Sequence, residues 1–531
     1  MRLLLLALLW LGLAASSQAQ TPTSCADGTA RTTLSGANVE TGLWIDSSIG
    51  LDNAVSPTYF VPRGTTQSPL FVASLWVGGQ VGGETRTAAA LYGDFEFWPG
   101  PLGAGGQPLD DCAQYDRIWS VSQDEVVAFE TGGAATTDLR EWPTGLGAAA
   151  VDATGALVVP TSRDQVIDLA AGERPLVYGT QTTFWVMNDV GNQHTYTGSA
   201  PLGIEVQVTA SAFDTGVAAF DNATVYRYRI VNRNIIPIVS GRASLWSDFD
   251  LGTSRDDYVG ADSSRHMAFV YNGEATDKEY GTPPAFGVDV LSGAASVIFP
   301  FKNGPYPISE SAQGPDEHYQ FMQGLWRDGS PVTEEGLGFD TDGSPVAWMY
   351  PGDPVAHEFW SLENIDGNGT EAPPADMRGL INSPSFDLAA GEAYQFDVAL
   401  LFAQGVDRLD SVAELRLASD RVQAAYDAGL LFGGGSPVST EDAPHDSAFE
   451  VTVYPNPIRD HATVAFEIEA PSNVLVRVVD MLGRTVATIQ RESSAAGSHQ
   501  VSLPDDLASG TYIVEVATNQ ARISRLVTVT R

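Results

Sequence analysis

Carboxylates are the reactive side chains this sequence has in quantity. Asp248-Phe249-Asp250-Leu251-Gly252 is followed within a few residues by Asp256, Asp257 and Asp262, and Asp340-Thr341-Asp342-Gly343 and Asp366-Gly367-Asn368-Gly369-Thr370 repeat the placing of oxygen donors at alternate positions. Calcium takes six to eight oxygen ligands from flexible acidic loops, and alternate residues of a turn can point at one ion, so Asp248, Asp250, Asp256, Asp257 and Asp262 are the expected Ca2+ ligands. None of the three runs is an EF-hand loop: Gly252 stands where the first would need a ligand, and Glu371 where the last would need its glycine. The other chemistry open to these residues is the Asx-turn, in which Asp or Asn caps its own loop without metal. A pair of carboxylates facing each other about 5–10 Å apart would serve glycoside hydrolysis, a separation that sequence does not display.

Other chemistries are excluded by their missing signatures. There is no G-x-S-x-G elbow, no H-E-x-x-H and no phosphate-binding loop, and His357-Glu358 lacks a second histidine four residues on. The seven histidines, at 194, 266, 318, 357, 445, 461 and 499, have no metal-ligand spacing. Ten tryptophans lie between Trp44 and Trp360. Exposed Trp and Tyr faces stack on sugar rings, but most of these are expected in a core, with Trp98, in a Pro- and Gly-flanked turn, the one expected at the surface.

The 531 residues suggest two to four domains. With 66 acidic against 28 basic side chains the net charge is −38, which excludes nucleic acid and anionic membrane surfaces as partners because both require clustered positive charge. Only Lys278 and Lys302 are lysines; the other basic residues are arginines, as expected from adaptation to high salt or from a GC-rich genome. Residues 1–20 read as a secretory signal peptide: Arg2, an apolar run from Leu3 to Ala15, then Ser17-Gln18-Ala19. No later apolar run reaches the ~20 residues needed to span a bilayer. Export permits a disulfide between the two cysteines, Cys25 and Cys112, which would close a loop of about 87 residues and contribute about 3–5 kcal/mol on the chain-entropy model; two buried free thiols are the alternative.

The elements that would position these groups are mostly strands. In residues 21–432 short alternating segments such as Leu70–Val77, Gly203–Ala210, Val225–Val231 and Tyr394–Leu401 are separated by Gly, Pro, Asn and Asp clusters, which predicts an antiparallel β-sandwich body, one sandwich or two. Apolar spacing predicts a helix over Asp407–Leu431 with Gly433 at its C-cap, and a shorter one over Asp316–Arg327. Residues 433–448 read as a flexible linker. Beyond it, residues 449–531 hold short strands at Val464–Ile468, Val474–Val479 and Tyr512–Val516, predicting a small sandwich of about seven strands.

Tyr454-Pro455-Asn456-Pro457, Asp480-Met481-Leu482-Gly483-Arg484, Leu507-Ala508-Ser509-Gly510-Thr511-Tyr512-Ile513-Val514 and the terminal Arg525–Arg531 together resemble the C-terminal sorting domain of the bacterial type IX secretion system. The resemblance marks Pro455, Asn456, Pro457, Gly483, Gly510 and Tyr512 as the sorting motif. It implies an Ig-like address domain, the type IX machinery as partner, and a destination outside the cell, either released or attached to surface lipopolysaccharide. The body, through Phe97–Leu102, Tyr115–Trp119, Asp256–Gly260, Gly324–Gly329 and Tyr350–Pro354, is similar to large exported proteins of Bacteroidetes-type bacteria that have no assigned activity. The expected function is therefore a secreted or surface-displayed, non-catalytic body, structural, adhesive or binding extracellular polysaccharide, and stabilised by calcium. The alternative is a secreted polysaccharide hydrolase acting through an Asp/Glu pair. A fluorescent reporter carrying residues 449–531 is expected to leave the cell in a host with type IX secretion; its retention in the periplasm would overturn the assignment.

Overall fold

The computed structural model describes residues 25–432 apart from 53–54, 104, 109–110, 301–306 and 340–341, together with 438–439 and most of 451–529. The signal-peptide expectation at 1–20, nearly all of the predicted linker, and Asn456, Pro457 and Gly483 lie outside the described residues. Within the predicted linker, Val438–Ser439 pair with the strand Ala393–Ala403.

The body is built from two antiparallel sheets. The larger has ten strands; its central run passes from Ala285–Val290 through Ala393–Ala403, Ala223–Asn232 and Ile204–Ala212 to Gln181–Asn188. The smaller has six, centred on Ile238–Phe249 between Val72–Val81 and Met377–Asn382. Side chains from both meet in one core, including Leu75, Leu245 and Leu380 from the smaller sheet and Val206, Tyr228 and Phe396 from the larger. Because successive side chains of a strand point to opposite faces, Gln181–Asn188 serves two cores. Trp185 and Met187 enter the main one, while Phe184 and Val186 enter a separate cluster with Trp119, Leu139 and Trp142 from the chain inserted before this strand.

Helix Arg408–Asp427 packs its Val412, Leu415, Val422 and Tyr426 face against the larger sheet. The Asp407 carboxylate caps it by accepting the N–H groups of Leu409 and Asp410. It ends at Ala428 and the left-handed Gly429, short of the expected Gly433. The shorter helix is Gly314–Met322, begun by Pro315 in its first turn and ended by a left-handed Gly324, so it stops before the predicted Arg327. Trp98 contradicts its expectation. It is 3% exposed and tilted against the buried His194 ring, because its turn pairs with Asn188 at the edge of the large sheet. Eight of the ten tryptophans in the described chain are buried; Trp44 and Trp348 are part-exposed. Cys25 and Cys112 are disulfide-bonded, their Cα atoms 5.8 Å apart.

The C-terminal region has its own core, Val464, Phe466, Val476, Val478, Val514, Val516 and Val527 among its members. Seven strands form two sheets, of three and four, in the Ig-like arrangement expected. The fold is mainly β throughout.

Buried carboxylates punctuate the body, and several are met by arginine. Arg227 forks onto Asp397 at 2.8 and 2.7 Å, and Glu205 sits between Arg163 and Arg233. Asp289 differs, since its wholly buried carboxyl takes a 2.6 Å hydrogen bond from Ser419 and burial pushes its pKa up to about 8. A carboxyl held neutral in the fold favours the native state below the unfolded pKa, near 4, and that contribution is lost as pH rises toward 8. Asp289→Asn is expected to leave the melting temperature nearly unchanged at pH 4 and to raise it at pH 8; equal shifts at both would show that Asp289 does not titrate in this range.

Candidate functional site

Antiparallel register builds the acidic centre of the molecule. Asp248 near the end of Ile238–Phe249 lies directly across from Arg378 of Met377–Asn382. Arg378 Nε is 3.2 Å from Asp248 Oδ1, its Nη1 is 3.0 Å from Asp376 Oδ1, and Nε also donates to the Tyr92 hydroxyl at 3.0 Å. Tyr92 in turn donates to Asp248 Oδ2. Asp250, two residues beyond Asp248 and on the same side of the extended chain, completes a group in which one oxygen from each of Asp248, Asp250 and Asp376 lies within 4.8 Å of the others. The Asp250 carboxylate has no hydrogen-bond or ion-pair partner among the described residues. Burial, then the charges of Asp248 and Asp376, push its pKa up to about 7, against the pull of Arg378.

The five aspartates expected to share an ion are divided by the structure. Asp248 and Asp250 meet, and Asp376, far along the chain, joins them. Asp257 stands behind: it is wholly buried, its Oδ2 accepts the Leu251 N–H at 3.3 Å, and its Oδ1 has no hydrogen-bond partner. Burial first, then the neighbouring Asp256 and Asp250 charges, raise it well above the usual carboxylate range. Asp256 is turned toward Asp277 and Asn272, with burial pushing it up to about 6. Asp262 belongs elsewhere, at the far end of strand Asp257–Asp262, beside Arg265 at 2.8 Å and Arg416 at 3.4 Å. Against the upward pull of burial, hydrogen bonds from Ser264 and Arg265 hold it below its ordinary value. The chain turns between Asp250 and Asp256 at Gly252 (φ +71°), where a Cβ would come within 2.5 Å of Asp277 Oδ1. Of the other two runs, Asp366 accepts the N–H groups of Asn368 and Thr370 and the Thr370 hydroxyl, closing a turn on itself, and Asp340-Thr341 lies outside the described residues.

Two concavities bear on binding. Beside the acidic group, Trp76, Tyr92, Tyr196, Trp246 and Arg378 line a pocket whose open space is about 20 Å³, room for a single water. The second is a groove of about 360 Å³ over the hairpin of Arg31–Ser35 and Glu40–Trp44. Alternation turns Thr41 and Leu43 into the core and leaves Glu40, Gly42 and Trp44 on the open face, with Arg31 and Thr33 directly opposite on the partner strand. Phe60 joins them through paired backbone bonds with Glu40. The Arg31 guanidinium lies 3.8 Å from the centre of the Trp44 ring, and a side chain at Gly42 would strike Thr58 Oγ1. Sequence reading missed this groove, although the Arg-Thr-Thr and Glu-Thr-Gly-Leu-Trp segments carry the alternation that makes one polar and aromatic face.

The sorting motif is spread over the C-terminal sheets. Pro455 is exposed just after strand Val451–Tyr454, Gly510 opens the strand Gly510–Ala517, and the Tyr512 hydroxyl donates to Ala508 O at 3.1 Å.

Residues 452–530 match the family model described as the secretion system C-terminal sorting domain. A glucose-6-phosphate isomerase of Syntrophus aciditrophicus (strain SB) is 26% identical over 289 residues, which is 52% of this chain and 50% of that protein. The chain thus spans about half the length of the curated relative it matches. Among solved structures, a polysaccharide lyase matches 61% of this chain and 34% of its own at 12% identity and a TM-score of 0.18. Dimeric latent PorU from Porphyromonas gingivalis matches 66% and 31% at 11% identity and a TM-score of 0.14. A biofilm-associated protein BSP domain matches 98% and 84% at 9% identity and a TM-score of 0.13. TM-scores this low say nothing about the body.

Arg378 is the one cation among three carboxylates, and its side chain is 12% exposed. Arg378→Met is expected to lower stability by about 3–5 kcal/mol in urea denaturation, because the buried Asp248 carboxylate then loses its guanidinium. Asp250→Asn in the presence of chelator should be neutral or stabilising, since it removes a like charge. A loss above about 1 kcal/mol for the Asn variant would contradict the repulsion inferred here.

Proposed function

A protein addressed by a type IX sorting domain works outside the cell or on its surface, and we propose that the body of this one is a non-catalytic module that binds extracellular polysaccharide. The observation that carries this is the groove over the Arg31–Trp44 hairpin. Its volume lies within the range of small-molecule sites, and it combines apolar ring faces with convergent polar groups, the pattern of a carbohydrate subsite. Trp44 and Phe60 supply the faces. Thr33 supplies a hydroxyl, and Arg31 and Glu40 supply charged hydrogen-bond partners. The body's net negative charge favours neutral or cation-bridged glycans over polyanions.

A hydrolase is the second reading. It is favoured by one observation, that Asp250 is pushed up to about 7 beside Asp248 and Asp376, as an acid paired with a carboxylate base would be. Size weighs against it: the pocket next to that group admits about one water, while a sugar ring needs hundreds of Å³.

The full secreted chain, incubated with a panel of soluble and insoluble polysaccharides, is expected to be retained on at least one of them without releasing reducing ends. Trp44→Ala should weaken retention by ~10-fold or more, as loss of a large aromatic contact does elsewhere. Release of reducing ends, abolished by Asp250→Asn, would establish the hydrolase instead. Retention that is indifferent to Trp44→Ala would move the site away from the groove.

A further inference from the structure

We propose that His194 is held in the fold as the doubly protonated imidazolium, and that this proton locks the segment from Asp189 to Ile204 across the edges of both sheets. The inference goes beyond polysaccharide binding and does not depend on it. The ring is buried, and both of its nitrogens face backbone carbonyls: Nδ1 lies 2.9 Å from Thr87 O and Nε2 lies 2.7 Å from Asp189 O. A carbonyl oxygen can only accept, and a neutral imidazole has one N–H to give. Either neutral tautomer would therefore set a bare nitrogen lone pair against an oxygen at hydrogen-bond distance, whereas the imidazolium donates to both. His318 is the contrast within the same chain. Only its Nδ1 meets a carbonyl, Gly314 O at 2.7 Å, its Nε2 has no partner, and burial holds it neutral, pushed down to about 4.

The charges around the ring agree with this. From the segment before Trp98, Glu96 brings a wholly buried carboxylate whose Oε2 is 3.5 Å from His194 Nδ1, and no other cation pairs with Glu96 among the described residues. Glu96 meets donors alone, the N–H groups of Ala89, Tyr196 and Thr197 and the Thr197 hydroxyl, as an ionised carboxylate does. From the end of strand Gln181–Asn188 comes Asp189, equally buried, whose carboxylate accepts the N–H groups of Leu202, Gly203 and Ile204. Burial pushes both carboxyls up, and in each the His194 charge is the largest influence in the other direction. The Tyr196 phenol beside Glu96 is pushed above its usual value by burial and stays neutral. Strand Glu84–Ala88 meets the ring through the Thr87 carbonyl, and Trp98 through a ring face whose centre is 5.8 Å away; neither contact adds charge.

His194 thus ties one segment to two sheets. Thr87 belongs to the edge strand of the smaller sheet, and Asp189 follows a strand of the larger. The same segment is fastened to that edge strand by the Thr87 N–H on Ser199 Oγ and by Arg86 on Pro201 O. Loss of the proton leaves a carbonyl facing a lone pair and Glu96 without its cation, so the segment loosens as pH rises. The imidazole of an unfolded chain gives up its proton at about 6.5. The contribution of His194 to stability is therefore complete below that pH and is lost as pH rises until the folded ring deprotonates.

The full chain labelled with 15N-histidine tests this. At pH 7.5 one of its seven histidines is expected to carry hydrogen on both ring nitrogens. That signal should vanish when His194→Gln and Glu96→Gln are combined, a change that removes the pair together and leaves neither buried alone. In urea denaturation the ratio of folding constants between wild type and this double variant should fall ~10-fold or more from pH 6 to pH 9. Amide exchange of residues 190–203, corrected for its intrinsic pH dependence, should accelerate over the same range while that of Ala223–Asn232 does not; this readout needs no variant. A bare nitrogen on every histidine at pH 7.5, a stability ratio constant between pH 6 and pH 9, or exchange that rises equally in both regions would each overturn the lock.

Discussion

The antiparallel register of strand Ile238–Phe249 against its two neighbours is the constraint on which the rest of the body depends. On one side it pairs with Val72–Val81 and on the other with Met377–Asn382, so that Leu245 faces Leu75 and Ile381 and the smaller sheet closes over the core. The same register carries Asp248 to the rim and sets it opposite Arg378. A slip of one residue would exchange the faces, sending Leu245 outward and breaking the Asp248–Arg378 pair at once. Packing and the acidic centre are therefore specified by one set of backbone bonds.

A chain with 66 acidic side chains must place some of them inside, and it meets several of these with arginine. Guanidinium presents fixed parallel donors that match a carboxylate, as Arg227 does for Asp397 and Arg408 for Glu363. Lysine, a point charge on a flexible stem, offers no such fork, which is a structural counterpart to the near absence of lysine from this sequence. Where the cations run out, the carboxyl is neutralised by another means. At Asp289, which accepts a hydrogen bond from Ser419, burial pushes the pKa up to about 8.

The hairpin groove and the acidic rim occupy different parts of the body and differ in chemistry. The groove is lined by Trp44, Phe60, Arg31 and Glu40, while the acidic rim gathers carboxylates beside a pocket with almost no free volume. The C-terminal domain contributes neither. Its seven strands form a separate core, and its match to the sorting-domain family makes it the address under which the body leaves the cell.

The sequence by itself determined the β character, the alternating strands of both regions and the sorting domain, because these rest on local periodicity and on short motifs contiguous in the chain. The pairing of Asp248 with Asp250 was also legible, since alternate residues of an extended segment share a side. Tertiary structure decided the rest. Asp376 joins the group only because Met377–Asn382 pairs with Ile238–Phe249, a long-range contact that no local spacing encodes. Asp262 leaves it because a whole strand intervenes and carries it to Arg265 and Arg416. Trp98 is buried for the same kind of reason, its turn docking on the edge of a sheet whose other strands lie far along the chain. The groove at Trp44 needed three separate segments to be assembled before its open face existed.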